Sequence, residues 1–319
     1  MAAKTEYDPQ THSVWYALVS TDPTSSEPHW APEQIFNQPG ENIDAISCVS
    51  ASLCVAVTSL GKALISTNPT AASPVWTTYT VAANQYLDAV SCPTTGLCVT
   101  KAGGGGQVFT STNPTSSSVT WRTKNLEVGY PNEALTDVTC ASESLCAATT
   151  TNGSFRVTTN PTATNPLWSK TFASDSFGFG AAVTCTSVSL CAVVDGVGGL
   201  HITRNPTEPT PGWSEHDPGY GSLLSRSGSI TCPSNNACMA FGANGKDFYP
   251  LTGLSTDSAG WTASDIWNDH HLPTGNPSVK HPCIRVTQVG QATGCSLGFA
   301  RAVIENDDRH ARPGQHGPG

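Results

Sequence analysis

Acidic residues close to the cysteine pairs could carry acid–base chemistry in this chain: Asp44, Asp88, Glu133 and Asp137. Asp44, Asp88 and Asp137 precede the first cysteine of a pair by 4, 4 and 3 residues, so we expect them near one end of equivalent strands. Glycoside hydrolysis needs two carboxylates about 5 to 10 Å apart. Three neighbouring carboxylates also favour a structural cation such as calcium. A third interpretation stays open, in which these acids only cap turns through backbone hydrogen bonds.

A second group of candidates is aromatic and lies in the connections between repeats: Phe36, Tyr86, Tyr130, Phe177, Phe179, Tyr220 and Trp267. Rings along one rim would form flat apolar platforms with polar neighbours, which suit sugar rings or the side chains of a protein partner. Alternatively, the rings cap the core between neighbouring sheets. Tyr130, Tyr220 or His216 could also act as the base of a polysaccharide lyase.

Metal-ligating residue types gather near the C-terminus at Asp269, His270, His271 and His281. They lie in a stretch rich in Pro and Gly, which is typical of a solvated connector. We therefore predict no metal site there. No cofactor is expected beyond the possible cation near the three aspartates.

Ten of the cysteines occur as pairs separated by five residues: Cys48 with Cys54, Cys92 with Cys98, Cys140 with Cys146, Cys185 with Cys191, and Cys232 with Cys238. Such a pair in a short hairpin lies at bridging distance, which predicts a disulfide. A structural zinc is disfavoured because it needs four ligands and each pair offers two. Cys283 and Cys295 are expected to form a further bridge. This many disulfides indicates a secreted or cell-surface protein. The first ten residues lack the apolar stretch of a signal peptide, so we expect the leader to lie outside this sequence.

The elements that must position these residues repeat along the chain. First cysteines fall 44, 48, 45 and 47 residues apart, and an Asx-Pro-Thr segment and a Trp follow the same period. Each unit contains four short β-branched and apolar runs bounded by Gly, Asn or Pro, which predict strands. Sheets of four strands bury both faces by stacking radially. The sequence therefore predicts an all-β protein, a β-propeller of four-stranded antiparallel blades.

The repeat boundaries predict one domain over residues 1–305. Complete blades are expected at about 43–79, 87–123, 135–170, 180–215 and 227–263. The half-units 14–35 and 283–304 would pair as a split blade, which closes a ring of six and leaves no open sheet edge. A seventh blade stays open, because residues 306–319 follow no repeat pattern and are expected to form a disordered tail.

The segment Ser20-Thr21-Asp22-Pro23-Thr24 with Trp30 resembles the Asp-box of the sialidase-like propellers. The whole unit, over about 43–263, more closely resembles a group of uncharacterised, exported bacterial propellers with paired cysteines. The resemblance implies the fold; it implies little about chemistry, because one fold hosts many functions. Sialidases use three arginines to bind the substrate carboxylate. Here Arg122, Arg156 and Arg204 are expected away from the variable loops, so sialidase activity is not expected.

The composition excludes several classes of function. With 12% charged residues and a net charge of -9, the chain is no candidate for nucleic-acid binding. No apolar run is long enough to cross a membrane. We expect an exported, monomeric binding module that recognises a glycan or a protein through the loops between blades. The alternative is a glycan-cleaving hydrolase or lyase with its acids at the channel mouth, and a purely structural spacer would have the same scaffold.

Overall fold

The computed structural model describes residues 2–7, 14–20, 31–38, 40–126, 133–172, 182–195, 199–216, 229–234, 237–241, 247–252 and 264–265. Within these ranges all regular elements are β-strands and no helix occurs. They form five four-stranded antiparallel sheets and one three-stranded sheet. The four-stranded sheets are the blades of a β-propeller, as the repeat predicted. In the same ranges there is no helix that could span a membrane.

The strands follow the sequence order within each sheet. The N-terminal sheet contains β1 (Ala2–Tyr7), β2 (Val14–Ser20) and β3 (Ala31–Asn37). Blade 1 contains β4 (Ile43–Ser50), β5 (Leu53–Thr58), β6 (Lys62–Ser66) and β7 (Thr77–Thr80). Blade 2 contains β8 (Leu87–Thr94), β9 (Leu97–Ala102), β10 (Gln107–Ser111) and β11 (Arg122–Asn125). Blade 3 contains β12 (Leu135–Ser142), β13 (Leu145–Thr150), β14 (Ser154–Thr158) and β15 (Ser169–Phe172). Blade 4 contains β16 (Ala182–Ser187), β17 (Leu190–Val194), β18 (Leu200–Thr203) and β19 (Trp213–His216). Blade 5 contains β20 (Ser229–Ser234), β21 (Ala237–Phe241), β22 (Asp247–Thr252) and β23 (Ser264–Asp265).

Burial falls from the inner strands of a blade to its outer strand. In blade 1 all residues of β5 are buried, whereas β7 is largely exposed. Neighbouring blades cover both faces of the second strand, so its sequence is an unbroken apolar run rather than an alternating one. The first strands of adjacent blades contact one another around the central axis, from β4 to β20.

The tryptophans that end the repeats of blades 1 to 4 pack between neighbouring sheets, as predicted. Trp76 lies against a cluster that joins Ile35 of β3 to Ile43 of β4. Trp121 lies against the cluster shared by blades 1 and 2. Trp213 of blade 4 meets Phe155 of blade 3 edge to face, with ring centroids 5.1 Å apart. This geometry is favourable for aromatic pairs.

The Asx-Pro-Thr segments form the same turn in blades 1 to 4. Asn68 Oδ1 accepts a hydrogen bond of 2.9 Å from the backbone N–H of Val75, seven residues later. The equivalent bond recurs at 3.0 Å in the next three blades, accepted by Asn113, Asn160 and Asn205. Each turn therefore has the structural role that the sequence predicted: a side chain closes the loop between the third and fourth strands.

The predicted disulfides with the five-residue spacer form in all five blades. The bridges join Cys48 to Cys54, Cys92 to Cys98, Cys140 to Cys146, Cys185 to Cys191, and Cys232 to Cys238. Each bridge closes the hairpin between the first and second strands of its blade. The bridges and the Asx-Pro-Thr turns thus lie at the same end of blades 1 to 4. We call the end of a blade that carries its bridge the disulfide end. The predicted bridge between Cys283 and Cys295 lies outside the described residues.

The bridged hairpins are not identical in all blades. In blades 1, 3 and 4 the two cysteines are direct partners across the strand pair, whereas in blades 2 and 5 the pairing shifts register around Cys92 and Cys232. The bridges to Cys98 and Cys238 form nevertheless, with Cα atoms 4.1 and 3.9 Å apart. Cys98 and Cys238 are fully buried and belong to apolar clusters that join neighbouring blades. These cysteines are therefore part of the scaffold and do not contribute to a ligand site.

The N-terminal sheet differs from its prediction. We expected Val14–Val19 to pair with a strand that follows Cys283, but β2 is flanked on one edge by β1 and on the other by β3. β1 contacts β4 as the second strand of each blade contacts the first strand of the next. Residues 2–7 therefore take the place of the second strand; they are largely polar, AAKTEY, and contain no apolar run from which to predict it. Residues 283–304 and 306–319 lie outside the described residues.

Candidate functional site

The end of each blade opposite the disulfides carries the connections that differ in sequence, and we call it the variable end. In blade 1 it comprises the turn 59–61 between β5 and β6 and the connection 81–86 to blade 2. In blade 2 it includes the glycine-rich turn 103–106 between β9 and β10. The candidate site lies where these three segments meet.

A β-bulge places the first two acids at this end. The pairing of β4 with β5 skips Asp44 between Ile43 and Ala45, and the pairing of β8 with β9 skips Asp88 in the same way. An extra residue in a bulge re-aims its side chain away from the regular alternation. Asp44 and Asp88 therefore occupy equivalent positions in adjacent blades.

The connection that carries Tyr86 is fixed to the turn beneath it. Val81 and Ala82 donate backbone hydrogen bonds of 2.9 and 3.0 Å to Gly61 O, and Asn84 donates one of 3.1 Å to Leu60 O. Gly61 has φ +85°, and a Cβ there would lie 1.7 Å from Ala82 O. Only glycine fits so close a backbone approach at a positive φ. These hydrogen bonds and the close contact at Gly61 fix the conformation of the connection 81–86.

Tyr86 is held between the two blades with its ring open to solvent. Its hydroxyl donates a hydrogen bond of 3.2 Å to Asp44 Oδ1 of blade 1. Its backbone carbonyl accepts a 2.7 Å bond from Gly103 N of blade 2. A Cβ on Gly103 would lie 2.4 Å from Tyr86 Cδ1, so the missing side chain makes room for the ring. Tyr86 nevertheless remains 47% exposed and thus offers an aromatic surface in a fixed position.

The pKa values of Asp44 and Tyr86 are both raised in the folded protein. Burial raises the pKa of Asp44 to about 7, the Tyr86 hydrogen bond opposes that rise, and the charge of Asp88 adds to it. Burial and the two neighbouring carboxylates raise the pKa of Tyr86 to about 12. Asp44 Oδ2 is buried and has no hydrogen-bond partner among the described residues. Asp44 can therefore hold or release a proton near neutral pH.

Lys101 completes the site from beneath. Its Nζ lies 2.5 Å from Asp88 Oδ1; the lysine side chain is 1% exposed and the aspartate side chain 28%. The ammonium thus neutralises Asp88 from the protein interior, and part of the carboxylate stays accessible. Lys101 is not among the site residues that the sequence predicts. A lysine within the apolar strand LCVTKA is nevertheless a sign of a buried charge that needs an acidic partner.

Asp137 does not join Asp44 and Asp88. It is buried, and its two oxygens accept backbone hydrogen bonds from Val138 and Val183 at 2.6 and 2.9 Å. The bond to Val183 ties blade 3 to blade 4. The three aspartates do not come together as the possible calcium site would require, because Asp137 is committed to backbone amides. Among the described residues no group of three or more His, Cys, Asp or Glu could hold a metal ion.

Glu133, the fourth candidate acid, is also buried. Its Oε1 lies 3.9 Å from Arg156 Nη2. This ion pair places Arg156 beside the variable end, whereas the sequence predicted it near the opposite one. The arrangement suits a structural ion pair rather than a site that water or a ligand can reach.

Besides Tyr86, two of the residues predicted for the aromatic rim or for lyase chemistry lie in described strands. Phe36 lies in β3, opposite Trp15 of β2, and His216 ends β19 opposite Leu200. The other predicted residues lie outside the described part of the chain: Tyr130, Phe177, Phe179, Tyr220, Trp267, Asp269, His270, His271 and His281. Their roles stay predictions.

A channel runs along the propeller axis and is lined by the first strands of the five blades. Its empty volume is about 390 Å³, including space open to solvent, and each blade contributes one aliphatic and one hydroxyl residue, such as Ile46 with Ser47. Ser47 Oγ accepts a hydrogen bond from Cys92 N, and Ser91 Oγ accepts one from Cys140 N. These two hydroxyls therefore join neighbouring blades, which is a structural role.

Solved structures with a similar architecture support the fold. No protein-family model matches the sequence, and the curated proteins contain no match either. The chain is similar to catalytically inactive virginiamycin B lyase from Staphylococcus aureus with quinupristin, with a TM-score of 0.59 and 9% identity over 80% of this chain and 78% of that one. It is also similar to a functionally unknown protein from Desulfotomaculum acetoxidans, with a TM-score of 0.53 and 10% identity over 83% and 79%. A third similar structure is YCF48 bound to D1 peptide, with a TM-score of 0.50 and 13% identity over 81% and 79%. At these identities the likeness shows the propeller fold and does not single out the sialidase-like family.

Proposed function

We propose that this propeller is an exported glycan-binding module whose ligand lies on Tyr86 at the variable end of blades 1 and 2. The observation that carries the proposal is the fixed and exposed ring of Tyr86, with the carboxylates of Asp44 and Asp88 beside it. Sugar rings present C–H groups to an aromatic face and hydroxyls to neighbouring acceptors. A platform with a polar edge meets both needs.

The rigidity of the site favours binding. The hydrogen bonds between residues 81–86 and the turn 59–61 order the loop before any ligand arrives. A preformed site avoids the entropic cost of ordering a loop on binding. The partly exposed carboxylate of Asp88, held by Lys101, supplies a second acceptor in a fixed position.

The disulfides support the proposed location. Five bridges in the described blades suit a protein that works in an oxidising compartment outside the cytoplasm. Extracellular glycans are available to a protein in such a place. The binding role and the export are thus mutually consistent.

A glycan array followed by titration calorimetry of the best ligand tests the proposal. Tyr86→Ala should weaken binding at least about fivefold, since one stacked ring contributes about 1 kcal/mol or more. Leu167→Ala is the matched control, because Leu167 is 72% exposed at the disulfide end and should be neutral. Equal losses in both variants, or no glycan bound by the wild type, would contradict the proposal.

Gly103→Ala provides a second test that keeps the tyrosine. The new methyl group would displace the ring, while Gly105 has no atom within 4 Å of a Cβ and stands in the same turn. We expect Gly103→Ala to weaken binding and Gly105→Ala to leave it unchanged. Equal affinities in the two variants would show that the position of Tyr86 is irrelevant.

A second candidate function is a glycan-cleaving enzyme in which Asp44 is the general acid or base. The observation that favours it is the pKa of Asp44, raised to about 7, which suits proton transfer at neutral pH. Each glycan that binds should be incubated with the protein and analysed by mass spectrometry. Cleavage that disappears in Asp44→Asn would support the enzyme, and intact glycans throughout would exclude it for those ligands.

A further inference from the structure

Ion pairs at the variable end neutralise three of the acids there. These carboxylates pair with a lysine or an arginine: Glu41 with Lys62, Asp88 with Lys101, and Glu133 with Arg156. Asp44 is different, because its hydrogen-bond donor is the neutral hydroxyl of Tyr86. Its Oδ2 is buried with no partner among the described residues. The site beside Tyr86 is thus short of one positive charge.

We propose, building on the glycan-binding function above, that the sugar recognised at Tyr86 is an amino sugar with a free, positively charged amine. The cation would lie over the Tyr86 ring near the Asp44 carboxylate. It would supply the counter-charge that lysine and arginine side chains give to Glu41, Asp88 and Glu133.

Two features of the site attract a cation independently. An exposed aromatic face binds ammonium groups through its quadrupole, and more strongly when water is excluded. A partly desolvated carboxylate also gains more from an opposite charge than one in bulk water does. Neutral N-acetylated sugars would satisfy the ring but leave Asp44 uncompensated. Acidic sugars would be repelled by Asp44, and the net charge of -9 adds to that repulsion.

Oligosaccharides that differ only in the nitrogen substituent test the proposal. The probes are glucosamine and galactosamine oligomers in N-acetylated form and in N-trimethylated form, whose positive charge does not depend on pH. Calorimetry at pH 8 and low salt should give at least about tenfold tighter binding of one trimethylated oligomer than of its N-acetylated counterpart. Asp44→Asn should reduce that preference to about twofold or less.

Glu208→Gln is the matched control for charge. Glu208 is exposed at the disulfide end, so this variant removes the same unit of charge far from Tyr86. It should keep the full preference for the cationic oligomer. A preference lost equally in Asp44→Asn and Glu208→Gln would reflect the overall charge of the protein and would overturn the proposal.

The outcomes separate this proposal from the glycan-binding function. If neutral glycans bind in a Tyr86-dependent way and the cationic forms bind no tighter, the amine preference is wrong and glycan binding stands. If trimethylated oligomers bind equally well to wild type and Tyr86→Ala, both proposals fail at this site.

Discussion

At the disulfide end, blades 1 to 4 repeat one set of interactions, whereas at the variable end each blade has its own. The repeated set is a disulfide and an asparagine that closes the turn before the fourth strand. The variable set is a different acid–base pair in each blade, for instance Glu133 with Arg156 in blade 3 and Asp195 with His201 in blade 4. The order of the four strands is the same in these blades, and the polar side chains at the variable end differ from blade to blade.

This difference separates scaffold from site. Interactions that recur in every blade cannot make one blade functionally distinct, because they act on all blades alike. Within the described part of the chain, blades 1 and 2 differ from the others at the variable end, where a bulged aspartate meets an exposed tyrosine. Functional residues on loops held by a rigid scaffold are the usual arrangement.

The largest effect is expected from Asp137→Ala. This variant leaves the buried N–H groups of Val138 and Val183 without an acceptor, and each unsatisfied group costs about 1–3 kcal/mol. We expect the free energy of unfolding to fall by about 3 kcal/mol, measured by urea unfolding.

Thr136→Ala is the control for Asp137→Ala. Thr136 is the bulge residue of blade 3, partly exposed and bonded to the Thr149 hydroxyl. It should lose less than about 1 kcal/mol. If both variants lost a similar free energy of unfolding, Asp137 would not be part of the structural scaffold.

The next effect concerns the repeated end. Replacing Cys185 and Cys191 together by alanine opens a loop with a sequence separation of 6. The chain-entropy model predicts a loss of about 2 kcal/mol for so small a loop. The same double replacement at Cys140 and Cys146 should cost a similar amount, measured by thermal unfolding. A large difference between blades would break the equivalence of the disulfide end.

Much of the blade could be predicted from sequence because apolar runs and turn residues mark its strands. The apolar run Lys62–Ser66 predicts the third strand of blade 1, and the strand has these bounds in the structure. The run Val75–Tyr79 predicts the fourth strand, which begins only at Thr77, because the Val75 N–H is still bonded to Asn68 in the turn. The strand Ala2–Tyr7 was missed because its place depends on contacts with β4 that its own polar sequence does not encode.

The candidate site was predictable only in its residue types. Spacing to the cysteines selects Asp44 and Asp88, and its place in the connection between repeats selects Tyr86; the structure brings the three together at one end of blades 1 and 2. Asp137 was grouped with them although it precedes its cysteine by 3 residues rather than 4. One residue of offset in a strand moves the side chain to the other face. The pairing of Lys101 with Asp88 depends on the β-bulge at Asp88, which has no recognisable pattern in the sequence.

A smaller effect, with a defined pH dependence, is expected from Asp44→Asn. The pKa of Asp44 rises from 3.8 to about 7 in the folded state, so the folded protein favours the protonated form. Ionisation of Asp44 therefore destabilises the fold progressively between about pH 4 and pH 7, and fully above that range. The variant should match wild type near pH 4 and be more stable at pH 8.

Partial exposure of Asp44 reduces the expected gain to the order of 1–2 kcal/mol. Thermal unfolding across pH 4 to 8 measures it, with Glu208→Gln as the exposed control that should show no such trend. A stability difference that is constant with pH would contradict the raised pKa. If the stability gained by Asp44→Asn increases with pH, Asp44 destabilises the fold at the variable end. The repeated interactions at the disulfide end, in contrast, stabilise it.

The smallest effects come from the turn residues, where the two ends can be compared by a conservative exchange. Asn160 Oδ1 accepts hydrogen bonds from Leu167 N at 3.0 Å and from the Thr158 hydroxyl at 2.9 Å. Asn160→Ala removes both and should lower the free energy of unfolding by about 1 kcal/mol, as loss of a capping side chain does.

Asn160→Asp keeps the accepting oxygen, and the first repeat carries Asp22 at this position. It should therefore stay within about 0.5 kcal/mol of wild type, since both acceptor bonds persist. Urea unfolding of the two variants side by side measures the difference. If Asn160→Asp lowered the free energy of unfolding as much as Asn160→Ala does, the turn would depend on the asparagine NH2 group rather than on Oδ1. The disulfide end would then tolerate less variation than Asp22 in the first repeat indicates.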